Sequence, residues 1–439
     1  MKISEKSDFS FKWFGPQVYT KALDWSKLIA ITGSSQVLIQ ALGFVSGILV
    51  IRVLPVNEYA LYTLANTMLG TLTILADGGI ATGVMALGGK VWKDKEELGK
   101  VLSTGMSLRK KFAIGSLLLA TPVLVYLLRH HEASWLMTIL IVLSLIPAFF
   151  SALSGTILQI PLTLRQDIKP LQKNQVGVNL ARLAMLLLTI FIFPWAFIAI
   201  LAAGIPQIKA NIHLRKLSLQ YADWTHSPDP VARKEIMTFV KRLMPDALYY
   251  CLSGQITIWL ISIFGSTEAL AQIGALTRLT AALSIFSIVF HTLMVPRFAR
   301  LENNKPEILK KFIFIQIGLI VISLGIVFLV KEFAPNVLWI LGNDFSNLTI
   351  EVVFITLGSC ISLISGLTHH LLASRGIIVP PVIFIFTMVM IQVGFAFILK
   401  LDTIVGVLHY AIITASANYL IRIGYLTFIS IGKKDKISL

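Results

Sequence analysis

The sequence predicts an all-α membrane protein of about twelve spanning helices, built as two six-helix halves related by a parallel repeat. Three observations lead there. Of 439 residues, 56% are hydrophobic and only 14% charged, more apolar surface than water-soluble domains can bury. Apolar runs of about 20 residues recur along the whole chain, each long enough to cross roughly 30 Å of hydrocarbon as a helix and too uniform for the alternation of a membrane barrel. Finally, a pattern returns after about 210 residues. SGILVIR (46–52) followed by EYALYTLANTML (58–69) reads like SGQITIW (253–259) followed by EALAQIGALTRL (268–279).

In chain order, residues 1–27 form a polar segment of mixed charge, without the apolar core and cleavage site of a secretory signal. They are expected to stay cytoplasmic, with the first span acting as the membrane signal. The first half, 28–213, holds spans at 28–51, 59–87, 109–128, 134–158, 175–194 and 195–213. A polar linker, 214–242, is broken by Ser227-Pro-Asp-Pro230 and carries a basic stretch, 231–242, expected to lie along the membrane surface with Pro245 bending the chain into the next span. The second half, 243–430, holds spans at 243–264, 268–296, 310–330, 347–373, 377–399 and 403–430. A cytoplasmic tail, 431–439, follows.

Charge fixes the orientation. With the Met1 end inside, about 31 of the 38 lysines and arginines fall on the cytoplasmic face, in clusters that include 90–111, 165–173 and 209–242. Arg52, Arg129, Lys331 and Lys400 fall outside, and Arg182, Arg278 and Arg422 lie within spans. Both termini are therefore expected in the cytoplasm. The net charge of +16 follows this loop pattern and argues against a nucleic-acid partner. Cys251 and Cys360 lie within spans, so neither a disulfide framework nor a metal-ligand spacing is present.

Polar residues inside spans are costly, and their angular distribution carries the functional signal. Gln36, Gln40, Gly43 and Gly47 share one face of the first span, and Asn66, Gly70, Thr73 and Asp77 one face of the second. The seventh carries Asp246, Tyr250, Ser253 and Thr257; the eighth carries Thr280, Ser284, Ser287 and His291. Such stripes suit a wet cleft between the halves, although small and hydroxyl residues at this spacing also let helices pack closely. Two further stripes contain arginines: Gln175, Asn179 and Arg182, and Thr414, Asn418, Arg422 and Tyr425. A buried arginine needs a partner, water or ligand, so either a ligand site or an internal pair such as Arg182 with Asp77 satisfies the pattern. Arg278 and His291 fall about 220° apart on an ideal helix and cannot both line one narrow cavity. Arg52 and Glu58 flank a short outer turn and read as solvated, His130-His131 as a loop feature, and His369-His370 as the cytoplasmic end of the tenth span. No paired catalytic carboxylates, nucleophile elbow, phosphate loop or metal motif occurs, so no cofactor or enzymatic activity is expected.

RVLPVNEYALY (52–62) with ILADGGI (74–80) resembles the opening hairpin of the bacterial polysaccharide or O-antigen (Wzx-like) flippases, which share a superfamily with the multidrug extruders. TEALAQIG (267–274) through MVPRFARL (294–301) is similar to the stretch that opens that family's second half. Ala60 stands where the family usually has glycine. The resemblance implies a transporter in the bacterial inner membrane that moves an undecaprenyl diphosphate-linked oligosaccharide to the outer leaflet for surface polysaccharide synthesis, among membrane lipids and beside polysaccharide polymerase machinery. Arginine suits phosphate through its planar fork of donors. Arg182 and Arg422 are thus expected on the diphosphate, Gln36, Gln40, Asn66 and Asn418 on sugar hydroxyls, and Asp77 or Asp246 in ion coupling. An organic-cation antiporter of the related extruders is the rival transporter, and would want carboxylates in its cavity. A membrane glycosyltransferase or polymerase is a rival of another class, but the largest outer loop, near 331–346, offers only Glu332 and Asp344.

Overall fold

The structure is a computed structural model that describes residues 16–299, 301, 305–375, 377 and 379–432. Among them, apolar runs too long for turns fold as helices and no strand forms. The first half comprises α1 (Pro16–Val53), α2 (Val56–Asp77), α3 (Ile80–Val91), α4 (Lys95–His130), α5 (Trp135–Leu158), α6 (Ile160–Leu164), α7 (Ile168–Thr189) and α8 (Ala196–Ser218). The second comprises α9 (Pro230–Gly254), α10 (Ile256–Phe264), α11 (Thr267–Thr280), α12 (Leu283–Ala299), α13 (Lys305–Glu332), α14 (Ala334–Trp339), α15 (Thr349–Ala373), α16 (Pro381–Ile398) and α17 (Ile404–Gly432).

Among the described residues, nine helices are long and apolar enough to cross a membrane, and counting two bent pairs as single spans makes eleven. The remaining expected span, the fifth, is present as α7. It has the length to cross but carries Lys169, Lys173 and Arg182, and it packs against α1 and α8. The two halves repeat one packing plan: α5 lies along α8 as α15 lies along α17, and α7 on α8 as α16 on α17. A parallel repeat of sequence thus reappears as a repeat of helix neighbours.

Local chemistry explains where helices stop. The sequence reads 59–87 as one helix, but Gly78 (φ 47°) and Gly79 (φ 95°) break it, both in the left-handed region that glycine enters without cost, and bend the span by 44°. Asp94 starts α4 by accepting the amides of Glu96 and Glu97, and Asp229 starts α9 by accepting the amide of Ala232. The stretch 231–242 is not a separate surface helix. It runs through Pro245 as part of α9, packed on α3 and α4, and the 55° bend falls at Gln255 instead. The expected eighth span is broken at Ala281-Ala282 between α11 and α12, which removes the uninterrupted helix on which the 220° separation of Arg278 and His291 rested.

The halves meet where α2 packs on α11 and α9. Contact there is close because Gly274 has no side chain: a Cβ on it would lie 2.5 Å from Thr63 Oγ1 and 2.6 Å from Thr63 Cγ2. Gly274→Ala should therefore destabilise the folded protein by about 1–3 kcal/mol through overpacking. Thr63→Ala in the same chain should restore most of the loss, measured as the melting temperature of purified protein; an unchanged melt for Gly274→Ala would contradict this packing.

Candidate functional site

The second half encloses a chamber of about 550 Å³, walled by α9 to α12 and α15 to α17. Its polar lining is neutral: Tyr250, Ser253 and Thr257 come from the seventh span, Thr280, Ser284 and Ser287 from the eighth, and Gln392, Thr414 and Asn418 from α16 and α17. The stripes read from the sequence for spans seven, eight and twelve thus converge. They do so inside the second half, not in a cleft between the halves.

Just behind the lining residues Asn418 and Tyr250, at the end of this chamber nearest the basic loops, sits Arg422, 6% exposed. Its Nε donates to Asn418 Oδ1 at 2.8 Å, one terminal nitrogen to His369 Nδ1 at 2.5 Å, and the other to the Tyr250 hydroxyl at 3.3 Å. The guanidinium also lies over the Phe384 ring, 4.8 Å from its centre. A guanidinium can only donate, so His369 Nδ1 accepts and the ring is the neutral tautomer with its proton on Nε2. Asn418 Oδ1 takes a second bond from Ser365 Oγ at 2.8 Å. No carboxylate neutralises Arg422 among the described residues.

The other arginines are satisfied differently. Asp77 does not pair with Arg182. It pairs with Arg109, which the sequence assigned to a cytoplasmic basic cluster but which is 3% exposed. Arg109 Nε donates to Asp77 Oδ1 at 3.0 Å, and a terminal nitrogen donates to the Leu153 carbonyl and Thr156 Oγ1. Asp77 Oδ1 also accepts the Ala81 amide at 3.0 Å, across the Gly78-Gly79 break. One carboxylate therefore ties the bend of the second span to α4 and α5. Arg278 leaves the chamber to Thr277 and Thr280 and turns to the seam between halves, where it hydrogen-bonds Tyr59 and its Cδ lies 3.5 Å from the Cβ position of Gly47. Arg182 is partly buried on α7, with its Nε unpartnered among the described residues.

Of the remaining candidates, Gln36 donates to Gln175 Oε1 at 3.4 Å, joining α1 to α7. Gln40 and Asn66 are partly buried and do not line the chamber. The side chains of Asp246 and His291 lie outside the described residues.

Contacts between the halves close the end opposite the basic loops. Arg52, read as solvated, donates from Nε to the Ile340 carbonyl at 2.9 Å and from a terminal nitrogen to the Trp339 carbonyl, with its guanidinium 4.8 Å from the Trp339 ring centre. His131, read as a loop feature, is 4% exposed; it bonds Thr267 Oγ1 at 3.1 Å and the Ser262 carbonyl at 3.0 Å. Within the first half, at the same end, Glu58 accepts the Ala196 amide at 2.7 Å. Residue type alone could not separate these from solvated loop residues, because each is fixed by a partner more than 130 residues away.

No protein-family model matches the sequence, and no curated protein matches it. Among solved structures the chain is similar to a multidrug resistance MATE family transporter of the MOP superfamily in an inward-facing conformation, with 17% identity, a TM-score of 0.61 and coverage of 90% of this chain and 96% of that one. The outward-facing conformation of a transporter of that description gives 16%, 0.63, 93% and 97%. A MATE structure in a bent conformation gives 16%, 0.54, 92% and 94%. The fold is therefore that of MATE-like transporters.

The Asp77–Arg109 pair makes a prediction. Asp77→Leu leaves the buried Arg109 guanidinium without its partner and should cost about 3–5 kcal/mol, whereas Asp77→Leu with Arg109→Leu removes both charges and should cost far less. Melting of the purified variants tests this, and equal losses for single and double variants would deny the pair its role.

Proposed function

We propose that the protein moves an undecaprenyl diphosphate-linked oligosaccharide from the inner to the outer leaflet, exposing its polar chamber to the two sides in turn. The observation that carries this reading is Arg422. An arginine at the centre of a span costs about 2.5–3.5 kcal/mol to insert. Here the charge is held by neutral acceptors, so it stays available to an anion. Three of its five N–H donors are used, and the other two have no partner among the described residues. A diphosphate offers the acceptors that such a fork binds in pairs. Next to it the hydroxyl and amide groups of the chamber, with Tyr250 in its wall, suit sugar hydroxyls and ring C–H surfaces.

In this reading Arg422 takes the diphosphate and Asn418 a sugar hydroxyl. Arg182 supplies a second cation from α7, and Gln36, Gln40 and Asn66 extend the polar path through the first half. The units 28–213 and 243–430 rock about the α2, α9 and α11 seam, with 214–242 as their connection. Arg278 and the Arg52 and His131 contacts hold the far end closed until substrate is bound. Asp77 and Asp246 are the candidates for ion coupling, with Asp77 already tied to Arg109, and His291 is a candidate for the substrate. An anion leaving a negative-inside cell gains about 2.3 kcal/mol per charge per 100 mV, so outward movement needs no nucleotide. The placement in an inner membrane, with both termini cytoplasmic and a polysaccharide polymerase acting on the product, belongs to the same reading. The organic-cation alternative is less well supported, since no carboxylate lines the chamber among the described residues.

Arg422→Ala and Arg182→Ala, at normal membrane levels, should each lower export of surface polysaccharide at least tenfold and leave lipid-linked repeat units on the inner leaflet, with Arg422→Lys intermediate. Undiminished export in both alanine variants refutes the assignment, and binding of a cationic dye that depends on Asp77 favours the antiporter.

A further inference from the structure

A second cavity, of about 460 Å³, opens at the basic end between α4 and the start of α9. Thr104, Ser107, Leu108 and Lys111 lie at i, i+3, i+4 and i+7 on one face of α4 and form one wall. Arg233 and Lys234 come from the opposite wall, α9. The walls are held in register by Thr104 Oγ1, which accepts the Asp229 amide at 2.8 Å. Lys111, Arg233 and Lys234 are all exposed, and none is paired with a carboxylate among the described residues. The single acid in the lining, Asp229, is committed to α9, where its Oδ2 accepts the Ala232 amide at 2.6 Å.

Depth identifies the occupant. Lys111 is the last charge before residues 112–128, an uncharged run long enough to cross most of the hydrocarbon, so the cavity lies at the level of lipid headgroups. Its floor is apolar, made by buried Leu108 and partly buried Met237, which join the core that α3, α4 and α9 share. A cationic rim over an apolar floor at this depth matches a lipid with an anionic head and a glycerol backbone better than a freely soluble anion.

We infer that the groove between α4 and α9 binds the headgroup of an anionic phospholipid, which then bridges the first half to the helix that opens the second. This site is separate from the chamber, and its loading is expected to favour the state in which α9 lies on α4.

The test uses full-length protein in nanodiscs or detergent, with dioleoyl phosphatidylglycerol as the probe, dioleoyl phosphatidylcholine as control, and native mass spectrometry as the readout. Wild type should retain phosphatidylglycerol over phosphatidylcholine, and retention should fall as salt rises. Lys111→Gln with Arg233→Gln and Lys234→Gln should weaken it at least tenfold, while Lys209→Gln with Lys216→Gln, on α8, should leave it unchanged. The exposed position of the three side chains keeps the variant folded, and its melt checks this. Equal retention by the triple variant overturns the proposal, as does equal loss in the α8 variant. Displacement of the lipid by millimolar glycerol phosphate would assign the groove to a soluble phosphate instead.

Discussion

Positive charge within the bilayer governs how this structure is built. A guanidinium cannot shed its proton and cannot be left in hydrocarbon, so each internal arginine requires a local solution. The solutions differ along the chain. Arg109 is neutralised by Asp77 and shares its remaining donors with a backbone carbonyl and a hydroxyl. Arg278 is carried to the seam and hydrogen-bonded by Tyr59. Arg422 is solvated by an amide, a neutral imidazole and a phenol, without a counter-ion among the described residues. The first arrangement spends its charge on holding α2, α4 and α5 together. The last keeps its charge at the edge of a chamber.

These solutions also set which parts are rigid. Asp77 receives Arg109 and the first free amide of α3, so the glycine break of the second span is pinned from both sides. Across that break the basic end of α9 comes close: the Cβ positions of Gly78 and Gly79 lie 2.9 Å from Met244 Cε and 3.0 Å from Leu243 Cβ. At the opposite end Arg52 and His131 cross between the halves through polar contacts to loop carbonyls and hydroxyls. Both ends are also packed through apolar side chains, Ile236 and Val240 with Ile80 and Val84 at the basic end, and Tyr59 and Phe345 with Leu270 at the other.

Much of this was legible in the sequence. The spans, the repeat and the polar faces of spans seven, eight and twelve follow from hydropathy and helical period, and they coincide with the walls of the chamber. Arg109 escaped because it sits at the inner edge of a basic cluster, where only its partner distinguishes a buried arginine from a solvated one. Arg52 and His131 escaped for the same reason. The convergence of polar stripes inside one half, in place of a cleft between halves, is set by which helices pack together, α10 and α16 on α17 and α11 and α12 on α15, and a single helix's period does not carry that information. The bend at Gln255 follows Gly254 directly, whereas the turn at Ala281-Ala282 has neither glycine nor proline to announce it.

The contrast between the two halves bears on what can cross. Corresponding helices pack in corresponding ways, yet their polar residues are used differently. In the first half, Gln36 donates to Gln175 and Gln175 to Gln159, in a chain that joins α1, α7 and the end of α5. In the second, the hydroxyls of Ser253, Thr257, Ser287 and their neighbours face open volume. A polar group lining an empty apolar-walled space is tolerated only where water or a ligand completes its hydrogen bonds. The second half accordingly holds the polar volume, and the buried Arg422 stands at its end nearest the basic loops. A solute that enters from that end meets the positive charge before it meets the neutral hydroxyl walls, an order that selects for a molecule whose anionic and polyol parts are joined.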